Sequence, residues 1–154
     1  MPHAVAGTLA AAAVPATADP AADKAAIIER FQDWTAAFNA RNADGVCDLF
    51  APDLVYTIPE LPRGTRDTMC ANLAKLLARS DLHVSYADPD IHDIIVSGDL
   101  AVVRLTWTLT TRIKSDRDVS TEEGMDVFHR QPDGKWSIIR FIAFTTTPNA
   151  LLGK

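Results

Sequence analysis

The main change in the hydrophobic period of the chain falls at Leu82. Before that residue the apolar positions recur at helical spacing, and after it they alternate as strands require. Asp19 can cap a helix with Pro20 in its first position, and Ile27, Phe31, Trp34 and Phe38 then share one helical face. Polar residues from Asn39 to Asp44 interrupt the pattern. Val46, Leu49 and Phe50 predict a short second helix, ended by Ala51-Pro52-Asp53, and Leu54 to Ile58 reads as a strand. Pro59, Pro62 and Gly64 mark a loop, after which Thr65 can cap a third helix with Met69, Leu73, Leu76 and Leu77 on one side. Beyond Leu82, strands are expected at Leu82 to Ala87, Ile91 to Val96, Leu100 to Ile113, Thr121 to Gln131 and Lys135 to Thr147. Ser97-Gly98-Asp99 and Pro132-Asp133-Gly134 are hairpin signals, and Lys114 to Val119 reads as a longer exposed tip. Helices followed by an antiparallel meander specify an α+β fold. A βαβ crossover and a glycine-rich phosphate loop are both absent from the sequence, which argues against a dinucleotide-binding fold.

Composition narrows the class of function. The 154 residues carry 15 basic and 20 acidic side chains, a net charge of -5, which argues against a basic nucleic-acid footprint. No uninterrupted apolar run reaches the roughly 20 residues of a membrane-spanning helix. Residues 1–18 contain no Lys, Arg, Asp or Glu. Ala4 to Val14 resembles the apolar part of a secretory signal, with Ala16-Thr17-Ala18 as a small-x-small cleavage pattern. A periplasmic or secreted protein is therefore expected. The alternative is a disordered arm on a cytoplasmic one. Residues 19–154 form a single domain in either case, large enough to bury a core.

The strand faces predict what covers them. In Leu100 to Thr111, Val103, Leu105, Trp107 and Leu109 share a face that should meet the helices, while Arg104, Thr106, Thr108 and Thr110 share the other. The last strand is apolar on both faces: Ile139, Phe141 and Ala143 on one, and Trp136, Ile138, Ile142 and Phe144 on the other. With only three helices available as cover, an isologous homodimer through the outer sheet face is expected.

The segments Ile27-Ile28-Glu29-Arg30-Phe31, Ala36-Ala37-Phe38-Asn39-Ala40, Asp44-Gly45 and Leu49-Phe50-Ala51-Pro52-Asp53 resemble the nuclear transport factor 2-like superfamily. Asp126-Val127-Phe128-His129-Arg130, followed by Asp133-Gly134-Lys135-Trp136-Ser137-Ile138-Ile139, is most similar to its ketosteroid isomerase-like and SnoaL-like members. The resemblance spans about Asp19 to Thr147. It implies a cone-shaped half barrel, three N-terminal helices packed in a curved antiparallel sheet, with an apolar pocket at the open end. It does not fix a reaction, because the superfamily holds isomerases, dehydratases, cyclases, epoxide hydrolases and non-catalytic modules. The isomerases use a helix-one tyrosine and a strand aspartic acid to stabilise an oxyanion, with a separate carboxylate as base. Ungapped comparison places the tyrosine on Trp34, the oxyanion acid on Asp126 and the base on Ile58. An isoleucine accepts no proton, so this route to steroid isomerisation is lost unless Glu60 substitutes for it.

Asp126 shares a strand face with Phe128, and a carboxyl group among aromatics stays protonated because desolvation disfavours its charge. It is the candidate catalytic acid or oxyanion donor, with the Trp34 indole N–H as a second donor. The plainer alternatives are that Trp34 is core and that Tyr56 or Thr57 satisfies Asp126. Trp34, Tyr56, Ile58, Met69, Leu73, Leu105, Trp107, Phe128 and Phe141 are the expected ligand-binding lining. A working pocket of that composition should reach about 300 Å³. His83, His92 and His129 lack metal-ligand spacing, so no metal site is expected. A flavin or nicotinamide fingerprint is also absent from the sequence, and no cofactor is expected. Cys47 has no cationic sequence neighbour that would make it a nucleophile. A bridge to Cys70 would suit export, and spacing alone leaves it open. Arg63 and Arg66 flank Gly64 where an anionic substrate could meet them. Glu122 and Glu123 read as part of the solvated hairpin. The expected function is binding of a small hydrophobic molecule, with cofactor-free isomerase, cyclase or lyase chemistry at Asp126. The alternative is a non-catalytic binding or dimerisation module of the same fold.

Overall fold

The computed structural model describes residues 19–59 and 61–152; the signal-like arm and Glu60 lie outside them. These residues form helices α1 (Pro20–Asn39), α2 (Ala43–Cys47) and α3 (Arg66–Leu77). The strands are β1 (Phe50–Thr57), β2 (Gly64–Thr65), β3 (His83–Tyr86), β4 (Asp90–Ser97), β5 (Leu100–Ile113), β6 (Asp116–Arg130) and β7 (Trp136–Thr147). One curved, unclosed sheet runs in the order β2, β1, β7, β6, β5, β3, with β4 also paired to β5. The fold is the expected α+β cone. Its neighbouring strands are antiparallel except β1 and β7, which run parallel because β1 enters the sheet beside the last strand.

Local chemistry sets the helix ends. The Asp19 carboxylate accepts hydrogen bonds from the Ala21 and Ala22 amides at 3.0 and 3.3 Å, and Pro20 follows at a position that needs no N–H. Helix α1 ends where Arg41 turns left-handed at φ 57°. The Arg41 guanidinium then binds the carbonyls of Leu77, Arg79 and Leu82, tying the end of α1 to the exit of α3. Gly45 permits the closest approach of α1 and α2, since a Cβ there would lie 2.8 Å from that of Ala37. At the start of α3, Thr65 and Thr68 form a reciprocal capping pair.

Helix α1 supplies the hydrophobic stripe that the sheet wraps. Ile27, Phe31 and Phe38 are completely buried and Trp34 nearly so. Phe31 packs edge-on against Phe128 of β6, with ring centres 5.2 Å apart, and against Trp107 of β5 at 5.8 Å. At the far end of the helix, Arg130 pairs with Asp23 at 2.8 Å and with Asp99 at 3.0 Å, and its guanidinium lies 4.5 Å from the Trp136 ring.

Two sequence expectations change here. Phe50 begins β1 instead of closing α2, because the Ile138 amide reaches the Leu49 carbonyl at 2.9 Å and recruits the chain to β7. Pro52 then falls within the irregular stretch between the paired residues Phe50 and Val55, where its missing N–H is tolerated. In β7, the register skips Ile139 between the Val127–Arg140 and Phe128–Ile138 pairs. That extra residue shifts the phase, so Trp136, Ile138, Phe141 and Ala143 all face inward, while Ile142 and Phe144 face out.

Cys47 and Cys70 are joined in a disulfide with Cα atoms 5.6 Å apart, linking α2 to α3. Arg66 reinforces the same junction by donating to the carbonyls of Phe50 and Cys47, at 3.0 and 3.3 Å. It is committed to the fold and not to an anionic ligand; Arg63 is exposed. The bridge closes a loop of 23 residues, which in the chain-entropy account contributes about 3 kcal/mol. Reduction of the native protein should lower its unfolding free energy in urea by that order, as should the double variant Cys47→Ser/Cys70→Ser. Superimposable urea curves with and without reductant would contradict the bridge's role.

Candidate functional site

The alternation of β6 determines what the cone encloses. Glu122, Gly124, Asp126 and Phe128 point to the concave face, and Glu123 and Met125 to the convex one. Phe128 is completely buried under Phe31 and closes the floor. Above it a cavity of about 220 Å³ opens between α1, α3 and the sheet. Phe31 and Trp34 of α1, Met69 and Leu73 of α3, Ile58 after β1, Tyr86 of β3, Trp107 of β5 and Phe141 of β7 line it, with Leu49, Phe50, Ile138 and Ala143. Its acidic groups are Asp126 and Glu122.

Trp34, Ile58, Met69, Leu73, Trp107 and Phe141 are thus brought together as expected lining residues. Tyr56, Leu105 and Phe128 are not among them. The Tyr56 ring lies across Gly64, its partner in the β1–β2 pair, so closely that a Cβ on Gly64 would clash with it. The ring also stacks on Phe141 at 4.9 Å, and its hydroxyl lies 3.4 Å from that of Thr68. Leu105 and Phe128 are fully buried in the core layer beneath the cavity. Sequence reasoning missed Tyr86 and Glu122. The alternation that places Asp126 inside also places Glu122 inside, once β6 is known to start at Asp116 instead of Thr121. Glu123 does face outward, accepting a 2.6 Å bond from Thr106, whose hydroxyl lies 2.7 Å from His92 Nε2.

Asp126 is buried at 6% exposure, between Val103 of β5 and Phe141 of β7 in the ladder. Neither Tyr56 nor Thr57 satisfies it; among the described residues no hydrogen bond supports the carboxylate form. Burial, and secondarily the charge of Glu122, push its pKa up to about 8. Burial alone raises that of Glu122. Burial, and then the Glu122 charge, also raise that of the Tyr86 hydroxyl, so this phenol keeps its proton. Asp126 is the more deeply buried of the two carboxyls, and the charge of Glu122 adds to the cost of ionising it. The Trp34 Nε1 is buried without a hydrogen-bond partner among the described residues. The cavity wall therefore carries one neutral acid and one more easily ionised acid, beside a neutral phenol, in an otherwise apolar hollow. Among the described residues, no three His, Cys, Asp or Glu side chains converge as metal ligands.

A mixed, mainly antiparallel sheet bent around three helices places the chain in the nuclear transport factor 2-like class of α+β proteins. Residues 31–139 match the SnoaL-like domain, and the chain belongs to that family. No curated protein sequence matches it significantly. Among solved structures, a ketosteroid isomerase-like protein from Erwinia carotovora atroseptica is similar at TM-score 0.64 and 18% identity, over 80% of this chain and 96% of that one. ActVI-ORFA from Streptomyces coelicolor gives 0.69 and 15%, over 81% and 98%. An NTF2-like protein with a cystatin-like fold from Novosphingobium aromaticivorans gives 0.67 and 17%, over 84% and 86%. Identities this low establish the fold and leave the activity to the site itself.

The elevated Asp126 pKa has a consequence for stability. Unfolded, the carboxyl titrates near its ordinary 3.8; folded, it titrates near 8. Between those values the native state holds a proton that the unfolded state has released, so its contribution is greatest below pH 4 and is lost as pH rises toward 8. The slope should approach 1.4 kcal/mol per pH unit, roughly one proton's worth. Urea midpoints measured from pH 5 to 9 should fall more steeply for the native sequence than for Asp126→Asn. Parallel profiles would mean that the carboxyl is not buried as a neutral acid.

Proposed function

We propose that the cavity binds a compact, mostly apolar carbonyl compound, with protonated Asp126 donating a hydrogen bond to the carbonyl oxygen and stabilising the enolate that develops from it. The observation that carries this reading is a buried carboxyl, without a hydrogen-bond partner among the described residues, facing an apolar hollow. A buried donor left unpaired is costly, and a ligand oxygen supplies the missing partner. The reaction class is cofactor-free isomerisation, cyclisation or elimination next to the carbonyl. Size narrows the ligand. A hollow of about 150 Å³ suffices for benzene, so about 220 Å³ suits one or two rings. The cavity is smaller than the roughly 300 Å³ expected at the low end for drug-sized ligands, and a four-ring steroid would protrude from it.

A second reading, a binding module without catalysis, is favoured by Ile58, which occupies the wall where the isomerases would carry their base. Export is also proposed, and the Cys47–Cys70 bridge supports it, since such bonds persist in oxidising compartments.

The probe 2-tetralone, a two-ring ketone, should quench the fluorescence of Trp34 and Trp107, the tryptophans of the cavity wall. Asp126→Ala should weaken its binding about tenfold, the worth of one well-placed hydrogen bond. The hydrocarbon tetralin should bind both forms alike. Equal affinity of the native chain for ketone and hydrocarbon would remove carbonyl recognition from the reading.

The proposed homodimer uses the convex face, where Met125, Ile142 and Phe144 are 47%, 58% and 49% exposed on adjacent strands, near Ile95 at 60%. A contiguous apolar patch on a sheet is the kind of surface a partner covers. Light scattering should give twice the chain mass, and Ile142→Asp should give a monomer. A monomeric native protein at micromolar concentration would count against the interface.

A further inference from the structure

The proposed carbonyl chemistry needs a proton acceptor, and Ile58 cannot serve as one. The cavity contains another carboxyl. Glu122 lies four residues before Asp126 on the same face of β6, about 13 Å along the strand. Gly124 stands between them and has no side chain to separate what each carboxyl can reach. A Cβ there would meet Leu105 at 3.4 Å and Asp126 Oδ1 at 3.9 Å, so the missing group leaves open floor between the two acids. Glu122 sits opposite Trp107 in the β5–β6 ladder, and both belong to the cavity wall with Tyr86.

We propose that Glu122 is the base of this cavity, removing a proton from the carbon next to the carbonyl that Asp126 holds. This rests on the carbonyl-binding reading above. The C–H bond breaks and its electron pair forms the new carbon–carbon double bond. The former carbonyl oxygen gathers the charge against the Asp126 O–H, and the proton resides on Glu122. Its return to a conjugated carbon yields an isomer; its return to the same carbon, after Glu122 has exchanged with water, replaces substrate hydrogen by solvent hydrogen. No cofactor or co-reactant enters the balance. The depth of burial fits the roles. Burial raises both carboxyls, and the charge on Glu122 further raises Asp126, so the deeper group is held as the acid and the half-buried one is left to act as base. Tyr86, kept neutral in the same wall, is the other titratable group whose charge state responds to Glu122.

Incubation of the full chain with 2-tetralone in deuterated buffer, followed by proton NMR, reads exchange beside the carbonyl; tryptophan quenching reads binding separately. Glu122→Gln should lose about a hundredfold or more of the exchange rate while binding the ketone within about twofold of the native chain. Glu122→Asp should recover part of the exchange, and Glu123→Gln, altered on the convex face, should exchange at the native rate. Circular dichroism melts confirm that each variant is folded. Ketone binding that depends on Asp126, together with exchange unaffected by Glu122→Gln or absent from the native chain, would overturn the base assignment and leave the carbonyl site standing. Absence of ketone binding by the native chain, or binding indifferent to Asp126→Ala, would overturn both.

Discussion

The burial of one aromatic helix stripe against the concave side of a bent sheet is the constraint from which the rest follows. Phe31, Trp34 and Phe38 have nowhere to go except against Phe128, Trp107 and Tyr86, with ring centres about 5 to 6 Å apart. Toward the floor these rings fill the space between α1 and the sheet, where Phe31 and Phe128 are completely buried, and the cavity lies beyond them. Helix α3 covers the other side less tightly: Leu77 is its buried residue, while Met69 and Leu73 are half-exposed. Aromatics pack α1 against the sheet at one end, α3 closes the other side loosely and is tied to α2 by the disulfide, and the hollow lies between them.

That hollow makes the position of Asp126 consequential. In a filled core a lone carboxyl would cost several kcal/mol and be displaced or paired. Here it faces open volume and gives up only its ionisation. Among the described residues the ion pairs lie elsewhere, for example at Arg130 with Asp23 and Asp99 and at Arg30 with Asp48. Cations are thereby kept engaged away from the cavity wall, where a nearby guanidinium would ionise Asp126 and remove its ability to donate. Arg66, three residues before the lining residue Met69, is held by two backbone carbonyls.

Most of the scaffold was legible in the sequence because its signals are local. The cap at Asp19, the stripe of α1, the Thr65 start of α3 and the bounds of β5 all rest on spacings within a few residues. The site was less legible because strand phase is a long-range property. The extra residue at Ile139 reverses the inward face of β7, yet the run Trp136 to Phe144 carries apolar residues on both faces and so gives no sign of the shift. Tyr56 alternates inward but is claimed by Gly64, whose pairing in a two-residue strand carries no sequence signature. Glu122 beside Glu123 has the appearance of a charge run at a hairpin tip, and its inward position appears only when the alternation from Asp126 is extended back along β6.

Glu122 and Asp126 illustrate how one strand can place two identical functional groups in different protonation states. Both lose hydration on the concave face, which by itself would raise both titrations alike. The symmetry is broken by their surroundings. Asp126 lies deeper, between Val103 and Phe141, where neither neighbour can solvate charge; Glu122 is half-buried, one layer nearer the hairpin tip. Once Glu122 ionises, its field acts on Asp126 through a weakly polar medium and makes a second ionisation harder. The resulting arrangement, an acid that keeps its proton beside one that releases it, needs no metal and no cationic neighbour. It depends on strand alternation, on the absence of a side chain at Gly124, and on the depth difference that the taper of the cone imposes.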